Sequence, residues 1–205
     1  MEYNQGPYAY APAAQTVLRQ ETSLGWEAGL ELASVDGWQL EVGVFDQQVE
    51  DAIYFDLSAY SGYLQDTGAS DSRGVELAAS LPLLDTLRIS GNLTFNETSR
   101  PNGQPRIQRP RRQANLGLNY ASPSGQLQVH GFVRAAWDAV DEVFGLPDPV
   151  VLDDYAVLDV SAIYRIGERL ELVARLENAL DENYREIADY NSPGRAAYLG
   201  IRLHY

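Results

Sequence analysis

The sequence predicts an all-β protein, an antiparallel transmembrane β-barrel of which this chain supplies a C-terminal fragment of about nine strands. Three observations predict this fold. Apolar and polar residues alternate with a period of two in one segment after another. The connections between these segments alternate between short and long. Aromatic residues stand at the segment ends, where a membrane interface would lie.

The final segment, residues 195–205, shows the alternation in its clearest form. One side carries Ala197, Leu199, Ile201, Leu203 and Tyr205, and the other carries Ala196, Tyr198, Gly200, Arg202 and His204. An apolar period of two that ends on an aromatic residue is typical of outer-membrane strands. We therefore expect one face of this strand to meet lipid and the other to meet a polar interior.

The same pattern recurs upstream. The predicted strands cover residues 23–32, 38–44, 74–81, 87–96, 114–120, 127–137, 156–166 and 170–176. In the first of them, for example, Trp26 and Leu30 face away from Glu27. No segment shows a sustained helical period.

The predicted connections alternate in length. Short ones lie at residues 34–37, 82–85, 121–125 and 167–169, and long ones at 56–72, 97–111, 138–154 and 179–194. The short ones are rich in the Gly, Pro, Asp and Ser that tight turns need. Successive connections of antiparallel strands lie on opposite sides, so we expect the short turns at one edge and the long loops at the other. Bacterial outer-membrane barrels have this asymmetry, with periplasmic turns and extracellular loops.

The aromatic residues form two groups if the C-terminus is periplasmic. Trp38, Tyr120, Tyr164 and Tyr205 then lie at the periplasmic strand ends, and Trp26, Phe95 and Trp137 at the extracellular ends. Amphipathic rings favour both interfaces of a membrane. A soluble all-β sandwich or solenoid remains an alternative, since the same apolar stripe could form an internal core. The loop alternation and the aromatic groups favour the barrel.

Composition argues against several classes of function. The chain has 205 residues and a net charge of -14, which argues against general nucleic-acid binding. It contains no cysteine, so it has neither disulfides nor a cysteine metal site. His130 and His204 stand without a nearby serine or cysteine partner. We therefore expect no enzyme and no cofactor.

The strand count suggests a piece of a larger protein. Residues 1–12 are polar and rich in tyrosine, unlike a secretory signal. We expect residues 1–22 to form an extracellular loop segment and residues 23–205 to form the barrel strands. Nine is an odd number of strands, which does not close an ordinary single-chain bacterial barrel. An open sheet would leave the backbone groups of its edges unpaired in lipid. We therefore expect these strands to belong to a larger barrel.

The end of the chain carries a specific motif. Residues 176–184 read LENALDENY and residues 191–195 read NSPGR, with Asp189 and Tyr190 between them. This run closely resembles the C-terminus of TonB-dependent outer-membrane receptors, which usually read Asn-Leu-Phe-Asp, a Tyr, a Gly-Arg pair and a last aromatic. Further similar segments are LRQETS at 18–23, DAI at 51–53, RGVEL at 73–77 and NY at 119–120. The sequence departs from the family pattern at Gln20, often Pro, and at Ala179-Leu180, often Leu-Phe.

The resemblance implies a plugged barrel of about 22 strands in the outer membrane of a Gram-negative bacterium. It implies an importer for a scarce nutrient, either cobalamin or a ferric siderophore, and the strand spacing looks most similar to vitamin B12 receptors. The implied partners are outer-membrane lipid, the plug domain, the remaining barrel strands, TonB through an N-terminal part outside this chain, and the nutrient. A passive porin or adhesin-like barrel and a soluble all-β binding module remain alternatives.

The candidate binding residues lie in the long loops. Five arginines cluster between Phe95 and Leu116, namely Arg100, Arg106, Arg109, Arg111 and Arg112. Guanidinium groups suit phosphate and carboxylate geometry, so this loop could hold lipopolysaccharide phosphates or an anionic ligand, or it could simply be solvated. Arg100, Arg106, Arg109 and Tyr190 are the predicted substrate-binding candidates. The loop at 138–154 is rich in carboxylates, which indicates either a solvated loop or, less strongly, a calcium site.

Overall fold

A computed structural model describes residues 10–56, 59–143, 145–146 and 148–205. Its one helical element in this part is a 3-10 turn, η1 (Ala13–Gln15). The strands are β1 (Thr22–Ala33), β2 (Gln39–Glu50), β3 (Ile53–Phe55), β4 (Tyr63–Gln65), β5 (Ala69–Leu84), β6 (Leu87–Ser99), β7 (Arg112–Ala121), β8 (Leu127–Trp137), β9 (Val140–Asp141), β10 (Val150–Val151), β11 (Tyr155–Ile166), β12 (Leu170–Glu177) and β13 (Ala196–Leu203). None of the described residues belongs to a helix long and apolar enough to cross a membrane.

Nine strands form one antiparallel sheet in the order β1-β2-β5-β6-β7-β8-β11-β12-β13. This confirms the predicted number of barrel strands and their antiparallel order. Strands β1 and β13 are the two edges, so the sheet is not closed within the described residues. Two short hairpins, β3–β4 and β9–β10, lie in the long loops. The sequence did not predict them, because strands this short carry no measurable period.

The register places the apolar stripes of all nine strands on one face. Leu116 on β7, for example, lies opposite Gly91 on β6 and Val133 on β8. Val133 in turn lies opposite Leu158 on β11. A slip of one residue would turn a whole stripe to the other face, so this agreement across neighbours identifies a single apolar surface. We call it the outward face.

No second layer covers the outward face in the described part of the chain. Leu116 is 48% exposed in the middle of the sheet, and Leu199 on the edge strand is 90% exposed. The buried apolar residues are Ala13, Ala135, Ala136, Leu152, Val157, Tyr184 and Ala188. A soluble sandwich would bury the stripe beneath a second sheet, whereas a membrane barrel presents it to lipid. The structure therefore supports the barrel rather than the soluble alternative.

The opposite face is polar and concave. One groove on this face extends across the sheet from Gln39 and Glu41 on β2 to Arg175 on β12. Asn92 and His130 lie along it, on strands between these two ends. A sheet that curves around its polar side forms part of a barrel wall, and we call this side the inward face.

The connections alternate as predicted between a short-turn edge and a long-loop edge. The long-loop connections are residues 51–68, 100–111, 138–154 and 178–195. Strands β5 and β6 reach further into this edge than the apolar pattern indicated. Their ladder continues through charged partners, including Arg73 opposite Glu97, after the apolar alternation stops at Val75 and Phe95. At the other edge β5 reaches Leu84 through a register shift at Pro82, so the β5–β6 turn is tighter than predicted.

Candidate functional site

A half-buried ion cluster joins the loops at the long-loop edge. At its centre, Arg100 Nη1 lies 2.8 Å from Glu142 Oε1, and Arg100 Nη2 lies 3.6 Å from Asp66 Oδ1. The guanidinium also lies 5.1 Å from the centre of the Tyr54 ring. Only 17% of the Arg100 side chain is exposed. Because Asp66 follows β4, Arg100 follows β6 and Glu142 follows β9, the cluster ties three long loops together.

Burial and charge act in opposite directions in this cluster. Burial disfavours the charged guanidinium of Arg100, but the carboxylates of Asp66 and Glu142 outweigh it and raise the pKa of this side chain. Burial also raises the pKa of the Tyr54 hydroxyl, and the Asp66 carboxylate adds to the effect. At neutral pH the cluster therefore holds a cationic Arg100 beside a neutral Tyr54.

A groove opens beside this cluster, and we call it the loop groove. It is lined by Tyr54, Phe55, Arg100, Arg106, Arg109 and Glu142, among others. Arg106 is half-buried and Arg109 is exposed. In the described part of the chain neither Arg106 nor Arg109 forms an ion pair, whereas Arg100 forms two. The groove can thus offer two guanidinium groups and aromatic surface to an anionic, partly apolar ligand.

Three of the four predicted binding residues lie in the loop groove, and the fourth does not. Tyr190 belongs to the last long loop, where the residue is 71% exposed and its backbone N–H donates to Ile187 O at 3.2 Å. It is not among the residues that line the groove.

Arg111 and Arg112, the other two of the five arginines between Phe95 and Leu116, turn away from the loop groove. Arg112 Nη2 lies 2.7 Å from Asp138 Oδ2, and Arg111 Nη2 lies 3.5 Å from Glu97 Oε1. Both arginines border a depression on the outward face. One run of sequence therefore supplies cations to two surfaces, because the strand β7 begins within it.

Asp141 joins three long loops, although the sequence showed it only as one of many carboxylates. It is 1% exposed. Its Oδ1 accepts hydrogen bonds from Gln108 Nε2 at 3.2 Å and from Glu142 N at 2.9 Å. Its Oδ2 accepts one from Ala188 N at 2.8 Å. These bonds place Gln108 and Glu142 beside the loop groove. Nothing in the local sequence distinguishes Asp141 from its exposed neighbours.

The other carboxylates of the 138–154 loop diverge. Asp138 pairs with Arg112, Glu142 pairs with Arg100, and Asp154 Oδ1 accepts from Asp138 N at 3.0 Å. Among the described residues, no three His, Asp or Glu side chains converge as ligands of a metal ion. The weaker calcium alternative gains no support from this arrangement.

The C-terminal motif builds the last long loop. Asn178 is 3% exposed and has a positive φ of 46°, and its carboxamide bonds to Glu182 N, Glu182 O and Pro193 O. Asp181 Oδ1 accepts from Arg195 N at 2.9 Å, which joins the two halves of the motif. The hydroxyl of the buried Tyr184 accepts a hydrogen bond from Arg134 on the inward face. The motif therefore shapes the end of the wall and takes no part in the loop groove.

Comparisons with solved structures agree with this fold. The chain is 18% identical to the ferripyoverdine receptor of the outer membrane of Pseudomonas aeruginosa, with a TM-score of 0.75 over 95% of this chain and 28% of that one. It is 17% identical to the ferric-catecholate import receptor Fiu from E. coli K12, with a TM-score of 0.73 over 92% and 28% of the two chains. For the copper transporter OprC the identity is 18% and the TM-score 0.72, over 96% and 33%.

The chain thus spans about a third or less of the length of these receptors. No curated protein matches the sequence. The family model for the β-barrel of TonB-dependent receptor-like proteins matches residues 2–179, which is most of the chain. This chain therefore belongs to the family of TonB-dependent receptor β-barrels.

Proposed function

We propose that the chain forms the C-terminal part of the barrel of an importer for a ferric siderophore. The family is one of transport receptors, and membership in it implies the outer membrane of a Gram-negative bacterium. The loop groove, which brings Arg100, Arg106 and Arg109 together, is the observation that carries the proposal. A passive porin or adhesin-like barrel has less support, because such proteins do not belong to this family.

Within this proposal the long loops are extracellular and the short turns periplasmic. Residues 1–22 form an extracellular segment, and residues 23–205 form barrel strands whose inward face meets a plug domain. TonB acts through an N-terminal part of the protein. Lipid surrounds the outward face.

The chemistry of the loop groove favours an anionic chelate. Arg106 and Arg109 can bond carboxylate or similar oxygen groups, and Tyr54 and Phe55 can contact the apolar parts of the same ligand. Two of the similar structures are receptors for ferripyoverdine and for ferric catecholates. Those similarities favour a siderophore over cobalamin, the other nutrient suggested by the sequence.

Growth assays with the full-length protein test this function. A strain without its own iron-chelate and cobalamin receptors is supplied with ferric siderophores as the iron source or, in parallel, with cobalamin. We expect the gene to restore growth on at least one ferric siderophore. Growth on cobalamin alone would contradict the proposal.

The role of the loop groove is tested by the double variant Arg106→Gln/Arg109→Gln. We expect the Kd for the siderophore to rise about tenfold or more, because two charge-assisted contacts are lost. Arg169→Gln is the matched control, since Arg169 is exposed in a turn at the opposite edge. Equal effects of the double variant and the control would place the ligand elsewhere.

A further inference from the structure

A tight turn separates Arg106 from Arg109 in the loop groove. Ile107 and Gln108 form this turn, so Arg106 is its first residue and Arg109 its fourth. The Cα atoms of the first and fourth residues of such a turn lie within about 7 Å of each other. The turn therefore brings the two arginines together in the loop groove, which both of them line.

Gln108 holds a backbone conformation that its residue type disfavours. Its φ is 55°, and a positive φ at the third position of a turn normally calls for glycine or asparagine. A residue with a longer side chain stays in this region only where its surroundings compensate for the strain. Gln108 is exposed, so burial does not supply that compensation.

Two hydrogen bonds to β9 hold Gln108 instead. Its backbone N–H donates to Val140 O at 2.9 Å, and its Nε2 donates to Asp141 Oδ1 at 3.2 Å. Asp141 is a fixed anchor, because it is buried and its Oδ2 accepts from Ala188 N at 2.8 Å. The backbone and the side chain of Gln108 are thus both attached to the same short strand.

The flanks of the turn have little freedom of their own. Pro105 and Pro110 stand on either side of it, and each fixes its own φ at about −65°. Arg106 N donates to Thr98 Oγ1 at 3.1 Å, which ties the entry of the turn to β6. Because the entry is tied and the flanks are stiff, the conformation of the turn decides where Arg109 lies.

We propose that Gln108 is the positioning residue of the loop groove. Its carboxamide, held by Asp141, keeps the turn in the conformation that presents Arg106 and Arg109 together to an anionic ligand. Gln108 acts through these two arginines and does not itself supply the charge that binds. The assignment rests on the importer function proposed above, because it concerns the groove that carries that function.

The other bonds of Asp141 separate this role from a purely structural one. Oδ1 of Asp141 also accepts from Glu142 N at 2.9 Å, and Oδ2 accepts from Ala188 N. Both oxygens therefore stay bonded when Gln108 is replaced. Loss of the Gln108 side chain should release the turn without opening the buried contact between Asp141 and the last long loop.

Hydrogen exchange of the full-length protein without ligand measures the turn directly. Gln108→Ala lacks the carboxamide and disfavours the positive φ, so the amide at position 108 should exchange about tenfold faster. Gln108→Gly accepts the positive φ but is not anchored, so its exchange rate should lie between the two. The Ala188 amide should keep its rate in both variants. Unchanged exchange at position 108 in Gln108→Ala would overturn the proposal.

Binding of salicylate tests the consequence for the groove. This aromatic carboxylate is small enough for a cavity of about 280 Å³ and combines a ring with an anionic group. We expect its Kd to rise about tenfold in Gln108→Ala and by less in Gln108→Gly, because the two arginines no longer act together. Gln104→Ala is the matched control, in the same loop but outside the residues that line the groove, and should keep the original Kd.

A double-mutant cycle distinguishes positioning from a general loss of structure. In the Arg106→Gln/Arg109→Gln background, Gln108→Ala should raise the Kd no further, because the groups that it positions are gone. An equal rise in both backgrounds, or an unchanged Kd in Gln108→Ala alone, would overturn the positioning role and leave the importer function intact. If the unmutated protein supports growth on a ferric siderophore but does not bind salicylate, the loop groove is not the anion site, and the role of Gln108 is overturned with it. Absence of growth would count against the importer function itself.

Discussion

The ring of Phe45 on β2 lies against Gly74, its cross-strand partner on β5. A Cβ added at Gly74 would lie 2.6 Å from Phe45 Cζ and would also clash with the backbone oxygen of Phe95. We therefore predict that Gly74→Ala lowers the free energy of unfolding by about 1–3 kcal/mol, because the ring and the strand must shift to admit a methyl group. Urea unfolding of the full-length protein in micelles measures this loss.

The control for this prediction is Gly43→Ala, on the same face of β2. A Cβ there would meet Glu76 Cβ at 3.9 Å, an ordinary van der Waals distance. Its effect should stay within about 0.5 kcal/mol. If both variants lose the same stability, the loss at Gly74 reflects a general effect of replacing glycine in a strand and not a clash with the ring of Phe45.

Leu116 and Asn115 provide a test of which face meets lipid. Leu116 is 48% exposed on the outward face, halfway between Arg112 and Tyr120 along β7. We predict that Leu116→Arg costs about 2–4 kcal/mol, the range for a guanidinium on a lipid-facing position near the bilayer midplane. The measurement is urea unfolding in lipid vesicles.

The matched variant is Asn115→Arg, one residue away on the inward face. Asn115 Nδ2 donates to Asn92 Oδ1 at 2.9 Å, and losing this hydrogen bond should cost at most about 1.5 kcal/mol. A cost for Asn115→Arg as large as that for Leu116→Arg would show that the assignment of the two faces is wrong.

The barrel wall could be predicted from the sequence because each strand carries its own period. Leu199, Ile201 and Leu203 identify the outward face of β13 without knowledge of its neighbour, and the register then joins Ile201 to Leu172 of β12. The ends of β5 and β6 were missed because Arg73 and Glu97 are polar on the outward face. The alternation of apolar and polar residues marks a strand only where its outward face is apolar. It therefore cannot show how far a strand continues beyond the hydrocarbon layer of the membrane.

The contacts between loops could not be predicted, because they join residues that are far apart in the chain. Arg100 and Glu142 are separated by 42 positions, and Gln108 and Asp141 by 33. The arginine cluster signalled a binding surface, but it could not show that Arg106 enters the loop groove while Arg112 faces outward. That division depends on where β7 begins relative to its neighbours.

Asp141 yields a prediction about loop order. Replacing it with alanine removes the acceptor of the Ala188 N–H, which is buried and would be left without a partner. We predict that Asp141→Ala reduces the free energy of local opening by about 1–3 kcal/mol, equivalent to roughly 5- to 150-fold acceleration of hydrogen exchange at the Ala188 amide. Asp153→Ala, an exposed position in the same loop, should leave that exchange rate unchanged. Slow exchange at Ala188 in Asp141→Ala would show that Asp141 does not hold the loops together.

Asn178 yields the last prediction, which concerns the C-terminal motif. Its carboxamide makes three hydrogen bonds to the backbone of the loop, at 2.8 Å to Glu182 N, 2.8 Å to Glu182 O and 3.2 Å to Pro193 O, and its φ of 46° disfavours most other side chains. We predict that Asn178→Ala destabilises the last long loop by about 2 kcal/mol or more and speeds its cleavage by protease. Asn178→Gly tolerates the positive φ but lacks the carboxamide, so the difference between the two variants measures the backbone contribution. Asn183→Ala, exposed in the same motif, is the control, and protease resistance of Asn178→Ala equal to that of Asn183→Ala would contradict a structural role for Asn178.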